Sequence, residues 1–189
     1  MRRIFALVAV FVALLTAVLG QGTLASAGTV ATAAPKVSFI SWPKDVIYVY
    51  DTTAGLKKSD GTQVWPVKTA AAAWSKGNPV SIRYTTKGCP ANVQCVTIKQ
   101  SELADPTVGV AVTASAGADI KSSNITLDTT FGRKNSAARR QNVVCHEMGH
   151  SLGLEHRTQT SSCMSPYVTS TRSPDKTDIK NLNTMYGYR

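Results

Sequence analysis

All three histidines of the chain lie within an eleven-residue segment, and an acidic residue follows the first of them. They are His146, His150 and His156, in the segment His-Glu-Met-Gly-His-Ser-Leu-Gly-Leu-Glu-His. Three imidazole nitrogens can hold a zinc ion and leave its fourth position open, as in catalytic sites. Two histidines four residues apart face the same side of a helix, one turn apart. The spacing therefore predicts a helix that presents His146 and His150 to one metal ion.

Two further residues of this segment complete the predicted site. Gly153 can end the helix in the left-handed conformation, so that the chain turns back and His156 arrives as the third ligand. Glu147 is predicted to be the general base that takes a proton from water in the open position. Five fixed residues are expected by chance about once in three million windows, against roughly once in eight thousand for His-Glu-x-x-His alone. We therefore expect one catalytic zinc ion.

The start of the chain has the features of an export signal. A pair of arginines is followed by an apolar run from Ile4 to Leu19, and small residues suitable for cleavage stand at 25–27. The run is shorter than the roughly 20 residues that span a membrane. Residues 1–27 are therefore predicted to be a signal peptide, and the rest of the chain to be secreted into the extracellular space without stable membrane insertion.

The remainder of the chain is predicted to form one domain. An Ala/Thr/Ser-rich stretch at 28–41 is interpreted as a flexible lead-in or a short pro-segment, and residues 42–189 as the folded domain. Apolar residues in alternation, or runs of β-branched residues, predict five strands. These are 46–50, 80–84, 96–99, 107–113 and 125–128.

Helical spacing and capping residues predict three helices. One runs from Pro66 to Trp74, and the zinc helix runs from Ser136, its cap, to about Leu152. The last helix is predicted to begin with Ser173 as its cap and to stop at Gly187. The expected fold is a single α+β domain with a mixed sheet of about five strands and three helices.

The cysteines of an exported chain predict two disulfides, although the sequence alone allows three pairings. The cysteines are Cys89, Cys95, Cys145 and Cys163. The short separation of the first two favours a local bond between them, which leaves Cys145 with Cys163. That second bond would join the residue before His146 to the residue before Met164.

The charge of the chain is strongly positive, with a formal net charge of +10 at pH 7 that falls by two if the signal is removed. This charge would favour loose association with an anionic cell surface. Lysines and arginines are dispersed, however, and no aromatic residues alternate with them in the manner of a nucleic-acid platform. We expect a monomer without a nucleic-acid partner.

Two motifs carry a family resemblance. The zinc motif has the extended form H-E-x-x-H-x-x-G-x-x-H, and the segment Ser162-Cys163-Met164-Ser165-Pro166-Tyr167 follows it. In these motifs the chain resembles the metzincin zinc peptidases, and among them most closely the matrixins, as a minimal secreted catalytic domain of the matrix metalloprotease type. Snapalysins are a more distant cousin, because they have aspartate where this chain has His156. The resemblance covers about residues 43–188 and implies a zincin-like fold.

The resemblance implies roles for residues outside the zinc motif. Met164 would be the methionine of a turn that forms an apolar floor beneath the metal. The other implied residues would bind an extended polypeptide substrate, along an edge strand and in the pocket for the residue after the scissile bond. These are Gly109, Val110, Ala111, Pro166 and Tyr167. Calcium sites are common in the family, and Asp105, Asp119 and Asp128 offer oxygens, but no calcium loop is recognisable.

The predicted function is that of a secreted zinc-dependent endopeptidase that hydrolyses internal peptide bonds of extracellular proteins. One alternative is a zinc amidase or peptidase that acts on cell-wall peptides, which export and basic charge would suit. The other alternative is a non-catalytic binding module stabilised by zinc. Glu147 argues against the latter, because a structural zinc site has no need of a base.

Overall fold

A mixed sheet and four helices make up the part of the chain that the computed structural model describes, residues 40–187. In chain order the elements are β1 (Val46–Asp51), α1 (Val67–Trp74), β2 (Ser81–Thr85), β3 (Cys95–Ser101), β4 (Gly109–Ala116), β5 (Asp119–Asp128), α2 (Thr129–Lys134), α3 (Ala137–Ser151) and α4 (Lys176–Tyr186). The predicted signal peptide and most of the predicted lead-in lie outside the described residues. The proposed domain boundaries therefore stay predictions.

The sheet has the strand order β2-β1-β3-β5-β4. All neighbouring pairs are parallel except β4 and β5, which form an antiparallel hairpin. Gly117 lies in the hairpin turn with a φ of +61°, a conformation that glycine adopts without strain. As a result β4, the antiparallel strand, forms one edge of the sheet.

The alternation predicted for 96–99 is confirmed in β3, where Val96 and Ile98 are buried and the residues between and after them are less so. The hairpin strands differ from the prediction. β4 begins at Gly109 and continues to Ala116, and β5 is ten residues long and begins at Asp119. The first half of β5 is rich in polar residues, and its extended form depends on pairing with β4.

Helices α1 and α3 pack against each other on the sheet. In α1 the residues Val67, Ala70, Ala71 and Trp74 are buried, as their spacing predicted. The indole nitrogen of Trp74 donates a hydrogen bond of 2.9 Å to the carbonyl of Cys145. This bond connects the core helix directly to the residue before the first histidine. No helix in residues 40–187 is long and apolar enough to cross a membrane.

Two predictions about helices are wrong in detail. The structure has a fourth helix, α2, in addition to the three that were predicted; Asp128 caps it by accepting a hydrogen bond from the amide of Phe131. Six residues are too few to show a helical repeat in the sequence. In α4 the cap is Asp175 rather than Ser173, and it forms a capping box with Asp178.

The segment just before β1 already contacts the domain. Ser41 bridges to Asp119 at the start of β5, and the amide of Ile120 donates to the Ser41 carbonyl at 2.9 Å. The fully buried indole of Trp42 donates to the carbonyl of Ser151 at 2.8 Å. These bonds hold residue 41 against the start of β5 and residue 42 against the end of α3.

Candidate active site

Helix α3 carries the first two histidines, and a glycine turn returns the third. Ser136 caps the first turn of the helix through a backbone amide, as predicted. After the helix, Gly153 has a φ of +93°, the left-handed conformation that reverses the chain. His156 then lies beside His146 and His150, although it belongs to the irregular segment after the helix.

The ligand nitrogens of the three rings converge. Nε2 of His146 lies 3.1 Å from Nε2 of His156 and 3.0 Å from Nε2 of His150. Zinc bonded tetrahedrally to nitrogens at 2.0–2.1 Å requires nitrogen–nitrogen separations of about 3.3 Å, close to those found. Among residues 40–187, this is the only group of three histidine, cysteine or acidic side chains placed to share a metal. The three residues thus fit a zinc ion.

Backbone carbonyls orient the two helical rings. Nδ1 of His146 lies 2.8 Å from the carbonyl of Cys163, and Nδ1 of His150 lies 2.8 Å from that of Leu154. Because a carbonyl only accepts, we assign the ring proton to Nδ1, which leaves the Nε2 lone pair for a metal. Burial lowers the pKa of His146 to about 4 and also lowers the pKa of His150. Both rings are neutral at pH 7, the form that binds metals.

The carboxyl group of Glu147 is buried against β4, with 6% of the residue exposed. Burial raises the pKa of Glu147 to about 7, and a hydrogen bond with the backbone of Ala111 opposes that rise. Gly109 makes the close approach possible, because a Cβ there would lie 2.9 Å from both Cγ of Glu147 and Cγ1 of Val143. A carboxyl group with this pKa can both accept and release a proton near neutral pH.

Met164 lies beneath the turn between the two helical histidines and is fully buried. A Cβ at Gly149 would overlap its sulfur, so this glycine provides the space that the methionine occupies. The amide of Met164 donates to Oγ of Ser162 at 2.8 Å, and its carbonyl accepts from the amide of Arg157 at 2.9 Å. We refer to residues 157–174, which surround Met164 and contain no helix or strand, as the methionine loop.

A buried aspartate of α4 anchors the methionine loop. Asp178 is fully buried, accepts a hydrogen bond from Oγ of Ser162, and forms an ion pair of 2.7 Å with Arg157. It also accepts from the amide of Asp175 at 2.8 Å. Nothing in the sequence indicated this role of Asp178. An acidic residue in the first turn of a helix is ordinary, so nothing local distinguished Asp178.

The histidines open onto a cleft of about 310 Å³ between β4 and the methionine loop. The residues predicted to bind substrate all line this cleft: Gly109, Val110, Ala111, Pro166 and Tyr167. Their role in binding stays a prediction. Apart from Glu147 and the three histidines, every side chain in the lining is uncharged. The cleft thus differs in charge from the chain as a whole, which is strongly basic.

Asn142 is a cleft residue that the sequence analysis did not identify. Its side chain is buried and joins α3 to the methionine loop. The amide group donates to the carbonyl of Thr171 at 2.7 Å, and the oxygen accepts from the amide of Thr169 at 3.0 Å. In the sequence Asn142 is one of several polar residues of a helix, so no local pattern marked it.

The disulfides join Cys89 to Cys95 and Cys145 to Cys163, which is the favoured pairing. Two of the three aspartates considered for calcium bind other groups of the protein. Both carboxylate oxygens of Asp128 accept backbone amides, at 2.6 and 3.0 Å, and Asp119 pairs with Lys121 at 3.2 Å. These two carboxylates therefore already have partners in the structure.

The α+β fold, with its three-histidine centre beside an antiparallel edge strand, is consistent with the zincin class of metallopeptidases. The family model for the matrixins matches residues 52–187, and the chain belongs to the matrixin family. Membership implies a zinc-dependent metalloendopeptidase, a hydrolase that uses zinc and acts on polypeptides. Among curated proteins, none matches the chain significantly.

Proposed function

We propose that this matrixin is a secreted endopeptidase that cleaves extended, apolar segments of extracellular proteins with Glu147 as its general base. The observation that carries the proposal is that three histidines, one buried carboxyl group and an edge strand meet at one cleft. The Nε2 atoms of the three histidines converge, the carboxyl group of Glu147 is buried beside them, and both face a cleft bounded by an edge strand.

Substrate binding is assigned to β4. An extended peptide can add to the edge of a sheet through backbone hydrogen bonds, and this mode requires little of the peptide's sequence. Gly109, Val110 and Ala111 lie in β4 on the cleft. Val110 and Val112 expose 36% and 62% of their surface, so apolar side chains are available to a substrate strand.

Zinc, when bound by His146, His150 and His156, would polarise the scissile carbonyl and lower the pKa of a water molecule to about 7. Glu147 accepts a proton from the attacking water as its oxygen bonds to the carbonyl carbon. Glu147 then delivers this proton to the amine nitrogen as the carbon–nitrogen bond breaks. The hydrogen bond with the backbone of Ala111 orients the carboxyl group for both transfers. Neutral His146 and His150 keep their Nε2 lone pairs towards the metal position.

Selectivity is assigned to the uncharged wall of the cleft. Val143, Pro166, Tyr167 and Val168 line it, and none of them offers a charge to pair with a charged side chain. Burying an unpaired charge there would cost free energy, whereas an apolar side chain gains by leaving water. We therefore expect apolar residues immediately after the scissile bond.

Two features support the proposal that the protein is exported: residues 1–27, which lie outside the described part of the chain, and the two disulfides. Signal-like residues 1–27 support removal of a leader during secretion. Two disulfides are typical of proteins that fold in an oxidising compartment. Residues 28–41 are proposed as a lead-in or pro-segment and residues 42–189 as the peptidase domain. The chain is proposed to act as a monomer.

The test is cleavage of a denatured protein mixture by the exported chain, read by mass spectrometry of the new peptide ends with and without a zinc chelator. We expect cuts that the chelator abolishes and that precede apolar residues. Cleavage of isolated cell-wall peptides, but not of the protein mixture, would replace this proposal with the amidase alternative, which the net charge of +10 would suit. No hydrolysis of either by protein with one bound zinc would favour a binding module.

A further inference from the structure

We propose that the Cys145–Cys163 disulfide is a positioning element of the metal centre. Its main effect would be to hold zinc in the protein, and its contribution to the fold would be secondary. The inference rests on the proposed zinc site. It goes beyond that site, because both cysteines are fully buried and neither lines the cleft onto which the histidines open.

The disulfide closes a ring of bonds around the first histidine. Cys145 directly precedes His146 in α3, and the carbonyl of Cys163 accepts the hydrogen bond from Nδ1 of His146 at 2.8 Å. The sulfur of Cys163 returns to Cys145 through the disulfide. The residue that orients the ring is thus covalently tied to the backbone from which the ring projects. Movement of the methionine loop away from α3 is therefore restricted at the point where this hydrogen bond forms.

The same bond places Met164, the residue after Cys163. Met164 fits into the space left by Gly149, between the two helical histidines. One disulfide therefore sets the position of the methionine loop relative to two successive turns of the ligand helix. Groups that orient a metal ligand typically change metal affinity by about 10–100-fold when they are altered.

Other contacts would keep the methionine loop folded without the disulfide. The amide of Cys163 donates to the carbonyl of Ser173 at 3.2 Å, within the loop. Asp178 of α4 holds Ser162 and Arg157. On the α3 side, Trp74 holds the carbonyl of Cys145 at 2.9 Å. These bonds anchor the loop to α4 and α3 to α1, and the side chain of Asn142 joins α3 to Thr169 and Thr171 of the loop. Only the disulfide links Cys145 to Cys163 covalently.

The second disulfide provides a matched control. Cys89–Cys95 closes a short loop before β3, and Cys89 is exposed. Neither cysteine of this pair lines the cleft. Its removal also deletes one cross-link, but it leaves the surroundings of His146 intact.

The experiment compares the full exported chain with two double variants, C145A/C163A and C89A/C95A. Zinc is loaded into each protein, and its release to a chromogenic chelator is timed at a temperature where all three zinc-free proteins are folded. We expect release to be at least ~10-fold faster for C145A/C163A and changed less than about 2-fold for C89A/C95A. Unfolding midpoints of the zinc-free proteins are expected to fall for both variants, because both lose a cross-link.

Equal rates of zinc release from the wild type and C145A/C163A would overturn the proposal. The proposal would also be overturned if two zinc-free variants, C145A/C163A and C145V/C163A, both failed to fold. The second variant fills more of the space left by the sulfurs, so its failure would mean that the disulfide serves the fold itself. Failure of the wild type to bind zinc would instead reject the proposed function. A zinc-binding wild type with unchanged release from the variant would reject only this inference.

Discussion

Helix α3 and the methionine loop both contribute residues to the cleft, but their positions are fixed by different interactions. Along α3, the positions of His146, Glu147 and His150 follow from the helical repeat. The methionine loop has no such repeat, and its position depends on bonds from distant residues, among them Asn142 and Asp178. We therefore expect substitutions of the site residues in α3 to change peptide hydrolysis or metal binding while the domain still folds. Substitutions at the anchors of the loop should change stability first.

The largest expected effect is on the chemistry of the helix. Glu147→Gln preserves size but removes the base, so peptide hydrolysis should fall by ~10²–10⁴-fold while zinc content is unchanged. Turnover of a fluorogenic peptide and metal analysis measure the two quantities. Glu155→Gln is a suitable control, because Glu155 is an exposed neighbour in the same segment. Near wild-type turnover by zinc-loaded E147Q would contradict the proposed role.

The next effect concerns the anchor of the loop. Asp178→Ala removes the buried acceptor of Ser162 and one of the two carboxylates that pair with Arg157, which keeps Asp175. It should lower the free energy of unfolding by about 3 kcal/mol, because buried donors lose their acceptor. Asp119→Ala breaks an exposed ion pair with Lys121 and should cost at most about 1 kcal/mol. Urea unfolding of the zinc-free proteins measures both. If the two variants lost similar free energies of unfolding, Asp178 would contribute no more to stability than an exposed ion pair.

The buried carboxyl group of Glu147 should make the free energy of unfolding depend on pH. Burial raises the pKa of Glu147 from its ordinary value of 4.5 to about 7, so its stabilising effect is lost as pH rises through that interval. Zinc-free E147Q should therefore be more stable than zinc-free wild type above pH 7, by on the order of 3 kcal/mol. The difference should shrink towards pH 4. Unfolding with denaturant across pH 4–8 tests this, and a gap that does not vary with pH would refute it.

The smallest effect lies where the helix and the loop touch. Gly149→Ala places a Cβ against the sulfur of Met164. The overlap should cost about 1–2 kcal/mol, after the better helix propensity of alanine is allowed for. Gly55→Ala has no atom within 4 Å of the added carbon and should change stability little. Thermal unfolding compares the two, and equal midpoints would mean that Met164 moves aside without cost.

The sequence predicted most of the elements but misplaced the boundaries that depend on long-range pairing. The extended first half of β5 exists because it pairs with β4, and the polar residues there showed no strand pattern of their own. Helix α2 was too short for its period to be visible. The cap of α4 was placed two residues early, because Ser173 and Asp175 are both good capping residues. Only the structure shows that Asp175 makes the bonds.

The sequence by itself determined the candidate ligand set of this protein, the three histidines that the structure brings together. His146 and His150 share a helix face because of the helical repeat, and Gly153 turns the chain because glycine adopts positive φ readily. These are local properties, decided within a few residues. The tertiary structure alone decided which residues hold that set in place. Asn142, Asp178 and the close approaches at Gly109 and Gly149 join parts of the chain that share no local period. Such contacts arise only when the whole domain packs.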